Sequence, residues 1–354
     1  MKRLGFKWLF LPFSRLYGLI MAVRNWLYDS QLLQSKRPEV YSISVGNLTV
    51  GGTGKTPMIE FLIKRYMNNR SGAVGETATL SRGYGRQTKG FRIATDMDTA
   101  ETIGDEPLQL YHKFKQWIRV CVGERRVDAI QTLLQTHPDT SQILLDDAFQ
   151  HRAVRPHLSI LLMDYNRPFY EDYPFPVGRL RESRHGARRA DVVVVTKCPN
   201  NLWSTEQQRI INHIRPYTRP DIPIFFAGLK YSQPVSFTTY QPVAQLPQVI
   251  LVSGLANADP LEQYVRQTFT LTHHYRFSDH YVYSRADLDT FLSALSADTA
   301  LLTTEKDWVK LDTLLSPQER MTSPLFYLPV AVQFLADQEQ TFIQFLDDYS
   351  LKNR

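Results

Sequence analysis

One short glycine-rich segment of the sequence predicts phosphate binding. It reads Gly51-Gly52-Thr53-Gly54-Lys55-Thr56 and follows a strand-like run over residues 41–45. In such a turn, backbone N–H groups converge on phosphate oxygens, the lysine adds a positive charge and the threonine offers a hydroxyl to Mg²⁺. Pro57 suits the first turn of a helix, where its missing N–H costs little. We therefore predict a nucleotide-binding loop leading into a helix whose core-facing residues are Met58, Ile59, Leu62, Ile63 and Tyr66.

The loop departs from the common pattern at its first glycine. The spacing of that pattern places a glycine at position 49, where this chain has Thr49. The segment instead resembles the double-glycine loop of partitioning-type ATPases, although Val50 stands where those proteins carry an extra lysine. A GTPase is disfavoured because residues 195–199, Val-Thr-Lys-Cys-Pro, lack the aspartate that would read guanine. Adenine specificity follows by elimination only.

A pair of adjacent carboxylates is the first candidate for holding the metal that phosphoryl transfer requires. Asp146 and Asp147 follow the apolar run 143–145, which would deliver them to the carboxyl edge of a sheet. Neighbouring side chains of an extended strand point to opposite faces, so both can serve only if the backbone turns there. An exposed acidic loop is the alternative.

Most of the other charged groups permit two interpretations. Asp105 and Glu106 precede Pro107, so they either act in chemistry or stabilise the dipole of a helix that starts there. Asp279-His280 is typical of an exposed polar turn. Six arginines could hold anionic substrate groups or form a solvated face, namely Arg82, Arg86, Arg181, Arg184, Arg188 and Arg189.

Alternating apolar runs and helical patterns predict the architecture that positions these residues. The predicted strands are 40–45, 78–81, 118–122, 143–145, 158–163, 192–196, 249–252 and 300–303. We expect an α/β protein with a P-loop NTPase-like, mostly parallel sheet, a second, smaller α/β domain and an N-terminal amphipathic helix. Residues 199–247 are rich in Pro, Gln, Asn and Thr, which is typical of a connection between domains. The predicted division is 1–37 for the N-terminal segment, 38–228 for the core and 229–354 for the smaller domain, whose last residues could pack back on the core.

The first 37 residues combine positive charge with apolar side chains. They contain seven basic residues and one acid, whereas the rest of the 354-residue chain is neutral. Leu16, Ile20, Val23 and Leu27 recur at helical spacing after a stretch that includes Trp8 and several phenylalanines. Charged residues and a proline interrupt every window long enough to span a bilayer. The pattern favours a helix lying on an anionic membrane surface, and the alternative is a helix packing on the protein's own core.

Composition excludes several classes of protein. With 43% hydrophobic and 21% charged residues, the chain fits neither a disordered nor a collagen-like protein. Cys121 and Cys198 end apolar runs, so we expect buried free thiols and a reducing, cytosolic environment rather than a disulfide.

Taken together, the motifs resemble one family, the tetraacyldisaccharide 4′-kinases of lipid A biosynthesis. The resemblance extends from residue 45 to residue 307 in the expected order. Its stretches are 45–57, 81–86, 104–107, 145–151, 176–182, 277–280 and 304–307. Departures are small: Ala148 replaces an expected glycine, Ser278 a common proline and Tyr281 a frequent second histidine.

The resemblance implies an enzyme on the cytoplasmic face of the bacterial inner membrane, monotopic, with two domains joined by a β ribbon that close on each other. It implies transfer of the ATP γ-phosphate, with Mg²⁺, to the 4′-hydroxyl of an acylated glucosamine disaccharide 1-phosphate. By motif position, Lys55 neutralises the β- and γ-phosphates, Asp105 accepts the sugar proton and His280 pairs with Asp105. Thr56 and Asp147, with Asp146 nearby, hold the metal. The remaining cleft residues are Asn47, Arg82, Glu106, Gln150, His151, Arg181 and Glu182.

Two other functions are weighed against this one. A membrane-associated P-loop ATPase acting through protein partners would dimerise through its loop lysine, and Val50 argues against it. A nucleotide-binding scaffold without chemistry would tolerate loss of Asp105. For the kinase we expect a lipid substrate and an anionic membrane surface as partners, with no nucleic acid and no obligate protein partner.

Overall fold

The computed structural model describes residues 10–68 and 76–353. The start of the predicted amphipathic segment, which includes Trp8, lies outside these ranges. None of the helices in the described ranges is both long enough and apolar enough to cross a bilayer.

The described helices and strands alternate along most of the chain. The helices are α1 (Leu11–Asp29), α2 (Lys55–Asn68), α3 (Ala100–Ile103), α4 (Asp105–Phe114), α5 (Arg126–Thr136), α6 (Ser204–Ile214), α7 (Asp259–Thr268), α8 (Arg285–Ser293), α9 (Glu305–Leu311), α10 (Pro317–Thr322) and α11 (Gln338–Asn353). The strands are β1 (Tyr41–Asn47), β2 (Thr77–Ser81), β3 (Arg92–Ile93), β4 (Ile118–Val122), β5 (Gln142–Asp146), β6 (Leu158–Asp164), β7 (Val192–Thr196), β8 (Ile224–Tyr231), β9 (Val235–Ser236), β10 (Gln248–Gly254), β11 (Thr270–Phe277), β12 (Thr299–Thr304), β13 (Leu325–Leu328) and β14 (Val330–Phe334). All eight predicted strands are present within a residue or two of their predicted bounds.

The first of two compact units contains the predicted nucleotide-binding loop. It is drawn from the segments Met1–Arg82, Gln116–Leu229 and Val332–Arg354. Its strands lie in the order β14-β8-β7-β6-β1-β5-β2-β4. β1 pairs in parallel with β5 and β6, and β7 pairs in parallel with β6 and β8. Because parallel strands end at the same edge, the residues after β1, β5, β6 and β7 lie together.

The interior of this sheet follows from its apolar strands. Every residue of β1 and β7 is buried, as expected for central strands covered on both faces. The five residues predicted to form the core-facing side of α2 are also buried, from Met58 to Tyr66. The prediction for α2 is therefore confirmed.

The second unit is drawn from Gly83–Lys115 and Lys230–Ala331. Its sheet has the order β11-β10-β12-β13-β9, and its pairs are parallel except that of β13 with β9. Val249, Leu251 and Leu302 from the strands pack with Leu261 and Val265 of α7. The unit therefore has an apolar core of its own.

The units differ from the predicted division in one segment. Residues 83–115 were expected in the core domain, but they belong to the second unit because α4 packs on α9. Lys113 of α4 pairs with Glu305 at 2.5 Å, and the ring of His112 lies 5.6 Å from that of Trp308. The final segment, including α11, belongs to the first unit.

The polar stretch 199–247 is also more structured than its composition predicted. Its helix α6 buries Ile210 and Ile214, and its strand β8 buries Phe225 and Phe226 beside β7. Most residues of α6 are polar, and only two of its positions are buried. Its contribution to the core is therefore not evident from its composition. The chain leaves the first unit in β8 and returns in β14, the neighbour of β8 in the sheet.

Candidate active site

The predicted phosphate-binding loop lies at the carboxyl end of the central strand β1. Gly51 and Gly54 adopt φ angles of 118° and 82°, which a residue with a Cβ atom rarely adopts. Lys55 and Thr56 are the first residues of α2, so the loop presents the amino end of a helix, where backbone N–H groups favour an anion. Asn47 donates a hydrogen bond of 2.8 Å to the Thr53 hydroxyl and thereby ties the strand to the loop.

The carboxylate of Asp147 lies next to the lysine of this loop. β5 ends at Asp146, and Asp147 has a φ of 47°, so the backbone turns where the sequence required a turn. Asp147 Oδ1 lies 3.8 Å from Lys55 Nζ, and both carboxylate oxygens accept from Arg181 Nη1 at 2.9 Å. Burial would raise the pKa of Asp147, but the charges of Lys55 and then Arg181 hold that pKa below its ordinary value. Asp147 is therefore an ionised acid at the edge where a triphosphate would bind.

This arrangement fits a magnesium ion. Mg²⁺ prefers hard oxygen ligands and is commonly held by one or two carboxylates together with substrate phosphates. Asp147 supplies an ionised carboxylate, and Thr56 supplies a hydroxyl in the first turn of α2. Asp146 is buried at the end of β5, directly before that turn.

Glu182 is a buried acid that collects donors from three parts of the first unit. Its side chain is 1% exposed and accepts from Asn25 at 2.7 Å, Gln150 at 3.0 Å and Arg189 at 2.7 Å. Gln150 also donates to the backbone carbonyl of Asn47 at 2.8 Å. Glu182 therefore holds the segment after β5 in place behind the loop.

Helix α1 contributes to this network through its polar side. Tyr17 donates to the carbonyl of Arg181 at 2.9 Å, Arg24 to the carbonyl of Gln150 at 3.0 Å, and Ser14 to the carbonyl of Pro174 at 2.7 Å. The apolar side is turned away: Leu16 is 55% exposed and Ile20 is 56% exposed. The alternative in which this apolar stripe packs on the protein's own core is therefore wrong.

Two further predicted positions lie in the first unit. His151 is half-buried, and burial followed by the charges of Arg126, Arg24 and Arg82 lowers its pKa to about 4. Arg82 is exposed. His151 is thus neutral at physiological pH, whereas the arginines around it carry positive charge.

For several other arginines, the sequence left open whether they hold anionic groups of a substrate or form a solvated face. Three of them bind groups of the protein itself. Arg184 donates to the carbonyl of Asp172 at 2.8 Å, Arg189 binds Glu182, and Arg86 donates to the carbonyl of Gly90 at 2.6 Å. Among these side chains, the arginine in contact with the candidate metal-binding acid is Arg181.

Sequence reasoning missed Lys197, which supports the loop from the end of β7. Its ammonium group donates to the carbonyl of Gly52 and pairs with Asp164 Oδ2 at 2.8 Å. Thr196, the residue before it, donates to the carbonyl of Thr53 at 2.8 Å. The feature that could have identified Lys197 was its position directly after β7, a buried strand that only β6 separates from β1 in the sheet.

The second unit brings Asp105 and His280 together. Asp105 is the first residue of α4 and is 7% exposed, and His280 follows β11 in a turn. His280 Nδ1 donates to Asp105 Oδ2 at 3.0 Å, while Asp105 Oδ1 accepts from the backbone N–H of Glu106 at 3.0 Å. Asp105 is thus more than a surface acid at the start of a helix.

The two partners shift each other's pKa. Burial would raise the pKa of Asp105, but the hydrogen bond from His280 and the charge of Lys306 lower it below its ordinary value. The same hydrogen bond raises the pKa of His280 above its ordinary value. The pair is therefore an ionised carboxylate bonded to a readily protonated imidazole.

Both cysteines are free and buried, as the sequence predicted. Burial raises the pKa of each thiol to about 12, so neither is a nucleophile.

Comparison with known proteins agrees with these features. The family described as tetraacyldisaccharide-1-P 4′-kinase, LpxK, matches residues 6–350. The chain belongs to this family. Among curated relatives, the tetraacyldisaccharide 4′-kinase of Cytophaga hutchinsonii is 40% identical over 94% of this chain and 93% of its own length. That of Flavobacterium johnsoniae is 38% identical over 95% of each chain.

A solved structure extends the similarity to the fold. The crystal structure of the "apo" form of LpxK from Aquifex aeolicus in complex with ATP has a TM-score of 0.73 and 27% identity, covering 96% of this chain and 98% of that one. The predicted fold class is confirmed. The predicted function, an ATP-dependent kinase of lipid A biosynthesis, is likewise confirmed by the family and its curated members.

Proposed function

We propose that this kinase transfers the γ-phosphoryl group of Mg²⁺-bound ATP to the 4′-hydroxyl of an acylated glucosamine disaccharide 1-phosphate, with Asp105 as the general base. The observation that carries the proposal is the coexistence of two ionised acids in different chemical settings. Asp147 is bonded to cationic groups beside the loop, and Asp105 is bonded to a histidine in the second unit. The first setting suits phosphate and metal, and the second suits a proton acceptor.

The phosphate groups would be held by residues of the first unit. Backbone N–H groups of residues 51–56 would bind phosphate oxygens, and Lys55 would neutralise charge on the β- and γ-phosphates. Thr56 and Asp147 would hold Mg²⁺, which when bound neutralises charge on the phosphates. Arg181 would keep Asp147 oriented, since it binds both of its oxygens.

Asp105 would accept the proton of the acceptor hydroxyl at Oδ1, the oxygen that His280 does not bind. The alkoxide oxygen then forms a bond to the γ-phosphorus, and the bond between that phosphorus and the β–γ bridging oxygen breaks. ADP leaves with the electron pair of that bond. Asp105 then returns its proton to solvent, and His280 stabilises the carboxylate before the proton is accepted and after it is released.

We also assign helix α1 to the membrane surface, on the cytoplasmic face of the bacterial inner membrane. Its apolar side is exposed over at least two turns, from Phe13 to Ile20, while its polar side is engaged by the protein. An amphiphilic acceptor resides in a membrane, so a kinase that lies on that surface meets its substrate there. The free buried thiols agree with a reducing compartment.

The proposal is tested by following the label from γ-labelled ATP. The protein is incubated with Mg²⁺ and lipid disaccharide 1-phosphate in detergent, and the phosphorylated position is determined by NMR of the product. We expect the label at the 4′ position and no transfer when Mg²⁺ is replaced by a chelator. Equal ATP hydrolysis with and without the lipid, and no labelled lipid, would favour the partner-dependent ATPase instead.

A further inference from the structure

Two charged residues beside Asp105 and His280 have no part in the function described so far. Asp279 directly precedes His280, and Lys306 is the second residue of α9. Lys306 Nζ lies 2.5 Å from Asp279 Oδ1 and 3.8 Å from Asp105 Oδ2. The lysine is therefore placed between the proposed base and the turn that carries its partner.

We propose that Lys306 is a positioning residue for the phosphoryl transfer: it keeps Asp105 ionised and, through Asp279, fixes the turn that presents His280. This inference rests on the proposed role of Asp105 as the base. It assigns a task to the segment Thr304-Glu305-Lys306-Asp307, one of the stretches that carry the family resemblance.

The first step of the argument is the cost of burying the base. Asp105 is 7% exposed, and an ionised carboxylate out of contact with water is disfavoured unless positive charge or donors replace the water. A general base must be ionised before the reaction, because a protonated carboxyl group cannot accept the proton. Lys306 supplies a full positive charge 3.8 Å from Oδ2, the oxygen that His280 binds.

The second step is the geometry of the turn. His280 has a φ of 58°, in the left-handed region that non-glycine residues adopt uncommonly and that contacts with neighbouring groups help to hold. The ion pair of Lys306 with Asp279 is such a contact, since it anchors the residue before His280 to α9. The ring of Tyr84, 5.0 Å from that of His280, is a second contact on the imidazole. Lys306 therefore acts on both partners of the pair.

The third step is the charge balance around the lysine. Burial would lower the pKa of Lys306, but Asp105 and then Asp279 raise it above its ordinary value, so the side chain stays protonated. Lys310, the other cation of α9 near Asp105, lies 2.9 Å from Asp307 and donates to the carbonyl of Tyr281. The charged and titratable groups facing this site come from α4, the turn after β11, α9 and the segment before α3, namely Asp105, Glu106, Asp279, His280, Tyr281, Lys306, Asp307, Lys310 and Tyr84.

A neighbouring ion pair provides a matched control. Lys113 of α4 lies 2.5 Å from Glu305 of α9, and both side chains are at least four-fifths buried. Replacing Lys113 by Met removes a cation from the packing of the same two helices without touching Asp105 or Asp279. Any effect of lost packing or lost charge in general should therefore appear in both variants.

The experiment measures kcat/KM for the lipid acceptor against pH at saturating Mg²⁺-ATP. Because an adjacent cation lowers the pKa of a carboxylate by about one to three units, we expect Lys306→Met to move the acidic limb of the profile up by about one pH unit or more. Lys306→Arg keeps the charge and should leave the limb near its wild-type position. Asp279→Asn removes a negative charge, so its limb should stay or move down. Lys113→Met should leave the limb in place.

The outcomes separate this proposal from the one on which it rests. If Asp105→Asn abolishes the acidic limb while Lys306→Met leaves it unmoved, the base is correct and the role of Lys306 is wrong. If the limb persists in Asp105→Asn, the assignment of the base itself fails. Thermal unfolding of every variant checks folding, and a Lys306→Met variant that loses stability to the same extent as Lys113→Met without a pH shift would overturn the proposal.

Discussion

Asp105 Oδ2 accepts a hydrogen bond of 3.0 Å from His280 Nδ1, although 175 positions separate the two residues in the chain. One begins α4 and the other follows β11, so the contact exists only because both segments fold into the second unit. A carboxylate that is both buried and bonded to an imidazole has the features of a proton acceptor rather than those of a helix-capping acid.

Replacing Asp105 should affect turnover more than nucleotide binding. Asp105→Ala removes the proposed proton acceptor, and we expect kcat to fall by about 10²-fold or more with little change in the Kd for ATP. Asp96→Asn, which alters an exposed acid of the same unit, is the control and should keep wild-type kcat. Steady-state kinetics and equilibrium nucleotide binding supply the two readouts. Comparable turnover in Asp105→Ala would remove that residue from the role of base.

The Asp105–His280 pair should stabilise the fold only in a defined pH range. The pKa of Asp105 is lowered, so its contribution to stability is present above its unfolded pKa and is lost as pH falls through the folded value. The pKa of His280 is raised, so its contribution is present below its unfolded pKa and is lost as pH rises through the folded value. Both contributions are therefore fully present in mildly acidic solution, above the unfolded pKa of the acid and below the unfolded pKa of the histidine.

A double-mutant cycle with Asp105→Asn and His280→Gln measures this dependence by urea unfolding. We expect a coupling free energy of about 1–2 kcal/mol near about pH 5.5 and a smaller one near about pH 8.5. A coupling energy that increases with pH would contradict the assigned charges.

Replacing Lys197 should raise KM for ATP rather than KM for the lipid acceptor. Its ammonium group bonds the Gly52 carbonyl and Asp164, so Lys197→Met frees the loop from the end of β7. The loss of one charge-assisted hydrogen bond corresponds to about a tenfold rise in KM for ATP. KM for the acceptor should stay unchanged, and Lys230→Met, at an exposed position of β8, serves as control. An equal rise in both KM values would indicate general damage to the fold.

The exposed side of α1 should control membrane binding without supporting the fold. Phe13, Leu16 and Ile20 are 62%, 55% and 56% exposed, so replacing all three by Ser removes apolar surface that the folded protein does not bury. We expect partitioning into anionic vesicles to fall by about 10- to 100-fold, while the free energy of unfolding changes by less than about 1 kcal/mol. Met321→Ser, at a position 76% exposed on the second unit, should leave partitioning unchanged. Co-sedimentation measures the first quantity and urea unfolding the second.

Much of the first unit follows from local sequence. The run Val192–Val195 predicts a strand buried on both faces, and the six-residue loop predicts its own place between a strand and a helix. Even the turn at Asp147 follows from stereochemistry, because two adjacent carboxylates can share a site only if the strand ends between them.

What the sequence did not predict depends on distant contacts. The assignment of residues 83–115 to the second unit depends on the packing of α4 against α9, some 190 positions away, as the Lys113–Glu305 pair illustrates. The polar composition of residues 199–247 concealed α6, which uses few apolar residues to fill the core, and also β8, whose short apolar run lies within a stretch that is polar on average. The proximity of Asp105 and His280 was implied by family resemblance alone, since spacing along the chain carries no such information.

The two sides of α1 have a consequence for any attempt to shorten the protein. The side chains that donate from this helix, Ser14, Tyr17, Arg24 and Asn25, bind the backbone carbonyls of Pro174, Arg181 and Gln150 and the buried acid Glu182. Cutting the chain after Asp29 would uncover that acid and leave four acceptors to be satisfied by water. A kinase without α1 would therefore have an altered structure around Glu182 and would not simply be the same enzyme released into solution.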